Sequence, residues 1–150
     1  MKILFLDIDG VLNDRKPTSC GFCGIQADKA EQLNRILDAQ PTLKLWLTSA
    51  WRYLLLTKQM TGSGFENLLL THGVWARNRL GGWLAEDGPK GRAVDILEAV
   101  ESLDLRSPGR KWAVLDDLAL KGLGPHFHKT ESTVGLTKEI ADGILKYFNE

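Results

Sequence analysis

Short apolar runs alternate with longer segments of helical period along most of this 150-residue chain. The runs have the length of buried strands, and the longer segments repeat apolar residues every three or four positions, as on the buried face of an amphipathic helix. Strands that alternate with helices predict a Rossmann-like, doubly wound α/β domain whose mostly parallel sheet is flanked by helices. The predicted strands are residues 3–6, 43–47, 68–71, 111–115 and 126–130, and the predicted helices are residues 27–39, 50–64, 91–103 and 138–148.

Two of the remaining segments predict loops. Residues 14–26 contain one proline and two glycines and predict a flap after the first strand. Residues 73–89 carry four glycines and mixed charge, which predicts a loop or short irregular elements. A chain of this length suits one domain, so we expect residues 1–150 to form a single domain without a separate cap domain.

Composition excludes several classes of function. The chain has 19 Lys and Arg against 19 Asp and Glu, so no overall positive field attracts nucleic acid, although a local basic patch can still bind it. The apolar run at the N-terminus is too short for a signal peptide, and no run approaches the roughly 18 residues that cross a membrane. We therefore expect a cytoplasmic protein without a membrane partner, of undetermined oligomeric state.

The two cysteines, Cys20 and Cys23, lie in the predicted flap and do not form a disulfide framework. Their spacing resembles half of a zinc knuckle, but zinc needs two further ligands and no histidine has a supporting spacing. Free thiols are the favoured interpretation.

Reactive side chains follow the first two strong apolar runs. Asp7 and Asp9 end the first and start on the same side of the strand, where their carboxylates repel unless one is protonated or a cation lies between them. Gly10 lets the backbone turn away. Thr48 and Ser49 end the second run, where a hydroxyl can hold a phosphate oxygen, although a helix N-cap is the alternative.

Two more candidates lie later in the chain. Asp116 and Asp117 follow the predicted fourth strand and complete an oxygen-only set that suits Mg²⁺ better than zinc, with turn residues as the alternative. Lys90 precedes a long amphipathic helix and can offset the charge of a carboxylate and a phosphate, or it is simply exposed. Ligand sites of such sheets lie beyond the carboxyl ends of the strands, so we expect these groups to converge.

The order of these motifs resembles the haloacid dehalogenase (HAD) superfamily, and in particular its small phosphatase-type members without a cap. The motifs read DIDGVLN, LWLTSAWR, GPKGRA and VLDDLA. The resemblance implies a Mg²⁺-dependent phosphohydrolase in which Asp7 is the nucleophile and carries an aspartyl-phosphate. It implies that Asp9 is the general acid and base, and an acid at this position argues against dehalogenation.

The resemblance also implies how the remaining candidates act. Mg²⁺ would be held by the Asp7 carboxylate, the Asp9 main-chain carbonyl and one or both of Asp116 and Asp117. The phosphoryl oxygens would be bound by Thr48, Ser49 and Lys90.

The lack of room for a sizeable cap favours an open site and a large substrate, such as a nucleic-acid end, a phosphoprotein or a bulky phosphorylated metabolite. A site that a partner subunit closes is the alternative. The Ala-Trp-Arg sequence after Ser49 also resembles small HAD domains associated with nucleic-acid repair proteins. Candidate substrate contacts are Asn13, Trp51 and Arg52. In the alternative interpretation, Trp51 packs in the core and Arg52 is solvated.

A second stretch of basic and aromatic residues, on the presumed edge of the site, could bind nucleic acid, although packed aromatics with a solvated basic rim are favoured. The stretch consists of Trp75, Arg77, Arg79 and Trp83.

Two other functions compete with hydrolysis. In a phosphotransferase or phosphomutase the aspartyl-phosphate passes to another hydroxyl, but no cap is expected to exclude water. A non-catalytic phosphate-binding module, such as a receiver domain, would have its acidic pair after the first strand and the phosphorylated Asp later, which is the reverse of the order in this chain.

Overall fold

The computed structural model describes residues 1–16 and 24–150. Much of the predicted flap and both cysteines lie outside the described residues, so the zinc hypothesis stays untested. The described residues form one five-stranded sheet in the order β3-β2-β1-β4-β5, and every pairing is parallel. The strands are β1 Lys2–Leu6, β2 Leu43–Leu47, β3 Leu80–Trp83, β4 Lys111–Asp116 and β5 Phe127–Lys129.

Helices flank this sheet, which confirms the predicted Rossmann-like α/β fold. They are α1 Ala27–Ala39, α2 Tyr53–Leu56, α3 Gly62–Thr71, α4 Arg92–Ser102 and α5 Lys138–Asn149. Two turns of 3₁₀ helix, Ala50–Arg52 and Gly124–His126, complete the described secondary structure. No helix within the described ranges is long and apolar enough to cross a membrane.

Side chains alternate across the strands and so build one core on each face of the sheet. Leu4 and Leu6 of β1 belong to the core that α1, α3 and α5 cover. Ile3 and Phe5 belong to the other core, which α4 covers. The same alternation directs the next residue on this second face, Asp7, toward the α4 side of the sheet.

The third strand differs from the prediction. Residues 68–71 are the end of α3, which starts at an N-cap where the Thr61 side chain accepts from Gly64 N, and which buries Phe65 and Leu69 one turn apart. The strand at this edge is instead β3, inside the predicted loop 73–89. The sequence LGGW of β3 does not predict a strand, because glycine has a low strand propensity. Gly82 is nevertheless required, because a Cβ there would lie 2.5 Å from the ring of Trp46.

The predicted helix over residues 50–64 is also wrong in extent. The chain forms a 3₁₀ turn, the short helix α2 and then the start of α3 over this range. The other helices and strands are confirmed, with bounds within one or two residues of those predicted. The absence of a separate cap domain stays a prediction.

Candidate active site

The pairing of β1 with both neighbours brings three functional groups side by side. Leu6 pairs with the last leucines of β2 and β4 in the same register, and the contacts continue past the strands. Asp7 N donates to Leu115 O at 3.0 Å, and Thr48 N donates to Leu6 O at 3.0 Å. Asp7, Thr48 and Asp116 therefore lie next to one another at the carboxyl edge of the sheet.

Three carboxylates form an acidic cluster at this edge. Asp7, Asp116 and Asp117 each offer a carboxylate oxygen, and these oxygens lie within 4.8 Å of one another. Asp7 and Asp116 are buried, with exposures of 4% and 0%. Gly10, at φ 81°, makes room for the cluster, because a Cβ there would lie 2.1 Å from Asp117 Oδ2.

The cluster carries more negative charge than its surroundings stabilise. Burial, followed by repulsion from Asp116, raises the pKa of Asp7 to about 8. Burial also raises the pKa of Asp116. Asp117 Oδ1 is buried without a hydrogen-bond partner among the described residues. An oxygen-only set with an unpartnered oxygen fits a hard divalent metal ion, which would stabilise the charged carboxylates.

Arg92 gives the cluster its closest cation on the α4 side. Its Nη1 lies 2.9 Å from Asp116 Oδ2 and 3.5 Å from Asp7 Oδ2. Sequence reasoning missed this residue. The position of Arg92 in the sequence was nevertheless informative. Arg92 is the first residue of α4, and a positive charge at the start of a helix is unfavourable unless an anion lies nearby.

Lys90, the cation that the sequence suggested, lies exposed in the turn before α4. No hydrogen bond or ion pair of its ammonium group is found among residues 1–16 and 24–150. Its role in binding phosphate stays a prediction.

The two hydroxyls after β2 differ in their surroundings. Ser49 Oγ accepts a hydrogen bond from Trp51 N at 3.1 Å and so caps the 3₁₀ turn. Thr48 is fully buried, and its Oγ1 has no hydrogen-bond partner within the described part of the chain. A buried hydroxyl without a partner costs free energy, which favours Thr48 as the group that binds a ligand.

Asp9 lies beside the cluster, and two predicted substrate contacts hold its carboxylate. Asn13 Nδ2 donates to Asp9 Oδ1 at 3.0 Å, and Trp51 Nε1 donates to Asp9 Oδ2 at 3.3 Å. Asn13 is itself held, since its Oδ1 accepts from Gly10 N at 2.9 Å and its Nδ2 donates to Gly24 O at 2.8 Å. The carboxylate of Asp9 is therefore oriented from two sides.

Arg52 is a buried structural clamp, so the interpretation that it is solvated is wrong. It is 1% exposed, and Nη2 forms an ion pair of 2.7 Å with Asp87. The guanidinium also donates to four main-chain carbonyls, those of Thr48, Ser49, Leu84 and Ala85. These bonds tie the end of β2 to the end of β3. A direct contact of Arg52 with substrate stays a prediction.

The stretch of basic and aromatic residues does not lie together at the site edge as predicted. Trp75, Arg77 and Arg79 precede the parallel strand β3 and so belong to the amino-terminal edge of the sheet. Arg79 is engaged with main-chain carbonyls of Leu37, Gln40 and Leu43. Trp75 is 60% exposed.

The geometry agrees with what comparison with known proteins finds. A family model described as the HAD domain in Swiss Army Knife RNA repair proteins matches residues 3–141, a range that contains the acidic cluster, Thr48 and Arg92. No curated protein and no solved structure matches the chain. Membership of a HAD family implies activity of the phosphohydrolase type. The chain therefore belongs to the HAD superfamily, in the family of HAD domains of Swiss Army Knife RNA repair proteins.

Proposed function

We propose that this chain is a Mg²⁺-dependent phosphomonoesterase that acts through an aspartyl-phosphate on Asp7. The observation that carries the proposal is the convergence of three carboxylates, the Arg92 guanidinium and the Thr48 hydroxyl at one edge of the sheet. Residues 1–16 and 24–150 provide no hydrogen-bond partner for this hydroxyl. Mg²⁺ is the proposed ion because its preferred ligands are carboxylate and carbonyl oxygens. When bound, it neutralises negative charge on the nucleophile and the phosphate.

In the first half-reaction, a carboxylate oxygen of Asp7 attacks the phosphorus of the substrate. The bond between this oxygen and phosphorus forms while the bond from phosphorus to the leaving oxygen breaks. Thr48 Oγ1 and Arg92 bind the non-bridging oxygens, on which negative charge is spread. Asp9 donates a proton to the leaving oxygen, which departs as an alcohol.

In the second half-reaction, Asp9 acts as a base. It accepts a proton from water as the water oxygen attacks phosphorus, which releases inorganic phosphate and restores the Asp7 carboxylate. Both steps need the Asp9 carboxylate near the leaving or entering oxygen. Asn13 and Trp51 serve this need by holding its two oxygens.

The substrate that we propose is the phosphorylated end of an RNA. Its support is the family, whose description names RNA repair proteins. Phosphoproteins and bulky phosphorylated metabolites are the competing substrates. A panel of RNAs with 3′- or 5′-phosphate ends, phosphopeptides, nucleotides and sugar phosphates compares them, and selective turnover of sugar phosphates would rule out the RNA proposal.

The chemistry is tested first with a generic aryl phosphate, with Mg²⁺ or with EDTA. The wild type is expected to turn over only with Mg²⁺, and Asp7→Asn to lose at least about a thousandfold in kcat because it lacks the nucleophile. Asp14→Asn is the matched control, since it removes an equal charge from the same loop outside the acidic cluster, and we expect it to retain activity within about threefold.

Two outcomes favour the competing functions. Phosphoryl transfer from the substrate to an added alcohol, in excess over release of inorganic phosphate, indicates a phosphotransferase or phosphomutase. A wild type that binds phosphate but turns over no member of the panel indicates a binding module.

A further inference from the structure

Arg15 contacts the acidic cluster from the solvent side, and the proposed mechanism gives it no role. Its Nε and Nη2 lie 3.0 Å and 2.9 Å from Asp117 Oδ2. Its Nη2 also donates to the main-chain carbonyl of Asp9 at 3.3 Å. The side chain is 48% exposed, so this guanidinium lies at the opening of the site.

The two groups that Arg15 contacts are among those proposed to hold the metal ion. The carbonyl of Asp9 and the carboxylate of Asp117 both belong to the expected ligand set, along with Asp7. A divalent cation on these oxygens would lie close to the guanidinium, and two cations at that distance repel each other. Arg15 and the metal ion therefore compete for the same oxygens.

The backbone keeps a displaced Arg15 close to the site. Arg15 N donates to Asn13 Oδ1 at 3.1 Å, and Asn13 is anchored to both Asp9 and Gly10. The guanidinium can leave Asp117 by rotation of its side chain while its Cα stays in place. A planar guanidinium with a fork of donors is also the side chain best suited to bind a phosphate.

We propose that Arg15 is a substrate-binding residue that exchanges partners: it binds Asp117 and the Asp9 carbonyl until a divalent cation displaces it, and then binds phosphate. The proposal rests on the metal-dependent phosphatase function above. It makes metal binding and phosphate binding cooperative, because the ion releases the guanidinium that the phosphate needs.

Arg15→Asn tests this exchange in the full chain. Asparagine removes the guanidinium and tolerates the positive φ of 61° at this position better than most residues. Lys16→Asn is the matched control, because it removes one positive charge at the neighbouring exposed position. Thermal melts of both variants check folding. Calorimetric titration then measures the Kd for Mn²⁺ alone, and for inorganic phosphate at saturating Mn²⁺.

We expect Arg15→Asn to bind Mn²⁺ at least about threefold more tightly than the wild type, a factor reduced by the partial exposure of the competing contact. The same variant is expected to bind phosphate at least about threefold more weakly at saturating Mn²⁺. Lys16→Asn is expected to match the wild type in both titrations.

Three results would overturn the exchange. The first is Mn²⁺ binding by Arg15→Asn that is equal to or weaker than that of the wild type, as expected if Arg15 only holds Asp117 in place. The second is equal tightening in Lys16→Asn, which would indicate a long-range effect of charge. The third is unchanged phosphate affinity in Arg15→Asn. A wild type that binds no Mn²⁺ would refute the proposed function as well, which distinguishes the two failures.

Discussion

Raising the pH from 6.5 to 8 is expected to destabilise the metal-free protein. The pKa of Asp7 is about 8 in the folded chain against an ordinary 3.8, so the folded state holds a proton that the unfolded state has lost. The stability that this proton contributes is complete below pH 3.8 and declines as the pH rises through 8. The cause is burial beside Asp116, which penalises the charged form of Asp7.

The histidines set the lower limit, pH 6.5, of the pH range over which the effect of Asp7 is measured. Burial lowers the pKa of His126 and of His128 from the ordinary 6.5, so folding disfavours their protonated forms. Below pH 6.5 the unfolded state binds protons at these positions and stability falls with decreasing pH, which is the opposite trend. Part of this opposing effect persists for about one pH unit above 6.5, so the contribution of Asp7 is obtained as the difference between the wild type and Asp7→Asn, which contain the same histidines.

The size of the expected destabilisation follows from the pKa of Asp7 and the pH range of the experiment. Each pKa unit corresponds to about 1.4 kcal/mol, and Asp7 is half titrated at pH 8, so its contribution to the free energy of unfolding is expected to fall by about 1–2 kcal/mol between pH 6.5 and pH 8. For a domain of this size, that change lowers Tm by about 2–8 °C. A bound divalent cation stabilises the charged carboxylate and competes with the proton, so saturating Mg²⁺ should abolish or reverse the trend.

Thermal melts followed by circular dichroism measure this effect, with EDTA or with Mg²⁺ across the pH range. Asp7→Asn is the control, since a neutral amide cannot titrate and should remove the decrease. The reasoning is refuted if the metal-free wild type keeps a constant or rising Tm from pH 6.5 to pH 8. It is refuted equally if Asp7→Asn shows the same decrease.

Three further predictions concern single side chains. Thr48→Val should lower kcat/KM by about tenfold or more without loss of Tm, because it removes a hydroxyl that has no hydrogen-bond partner among the described residues. Ser49→Ala should instead lower the free energy of unfolding by about 1 kcal/mol, because it removes an N-cap. The reverse pattern would reassign the phosphate ligand. Arg92→Gln should lower kcat/KM in steady-state kinetics by about a hundredfold, and Lys90→Gln should lower it by much less. A greater loss in Lys90→Gln would instead make Lys90 the cation that binds the phosphoryl oxygens. Arg52→Lys should lower the free energy of unfolding in urea by about 3 kcal/mol, because lysine cannot reproduce the hydrogen-bond donors of the buried guanidinium. A change below about 0.5 kcal/mol would contradict the inference that Arg52 holds the ends of β2 and β3 together.

The periodicity of apolar residues located most of the fold. β1 and β4 are buried on both faces over most of their length and so read as apolar runs. β2 alternates buried leucines with half-buried residues, and α1, α4 and α5 repeat one apolar face. The apolar pattern did not predict the third strand, because β3 lies at the edge of the sheet and contains two glycines. The short run at residues 68–71 predicts a strand but forms helix, because four residues cannot distinguish a buried strand from one turn of a buried helix.

The acidic residues of the site followed from the sequence for a simple reason. Asp7 directly follows β1 and Asp116 is the last residue of β4, and parallel strands present their carboxyl ends at one edge, so the two acids meet wherever β1 pairs with β4. The basic residues did not follow, since long side chains reach in several directions. Arg52 turns inward to carbonyls at the ends of two strands, and Arg92 turns toward carboxylates from two others.

The sequence by itself thus determined the fold class and the acids that can hold a metal ion, because both depend on local pattern and on strand order. The tertiary structure alone decided which hydroxyl lacks a partner among the described residues, which arginine lies against Asp7, and which cation contacts Asp117. These choices depend on burial and on contacts between residues distant in the chain, and such contacts arise only when the sheet is assembled.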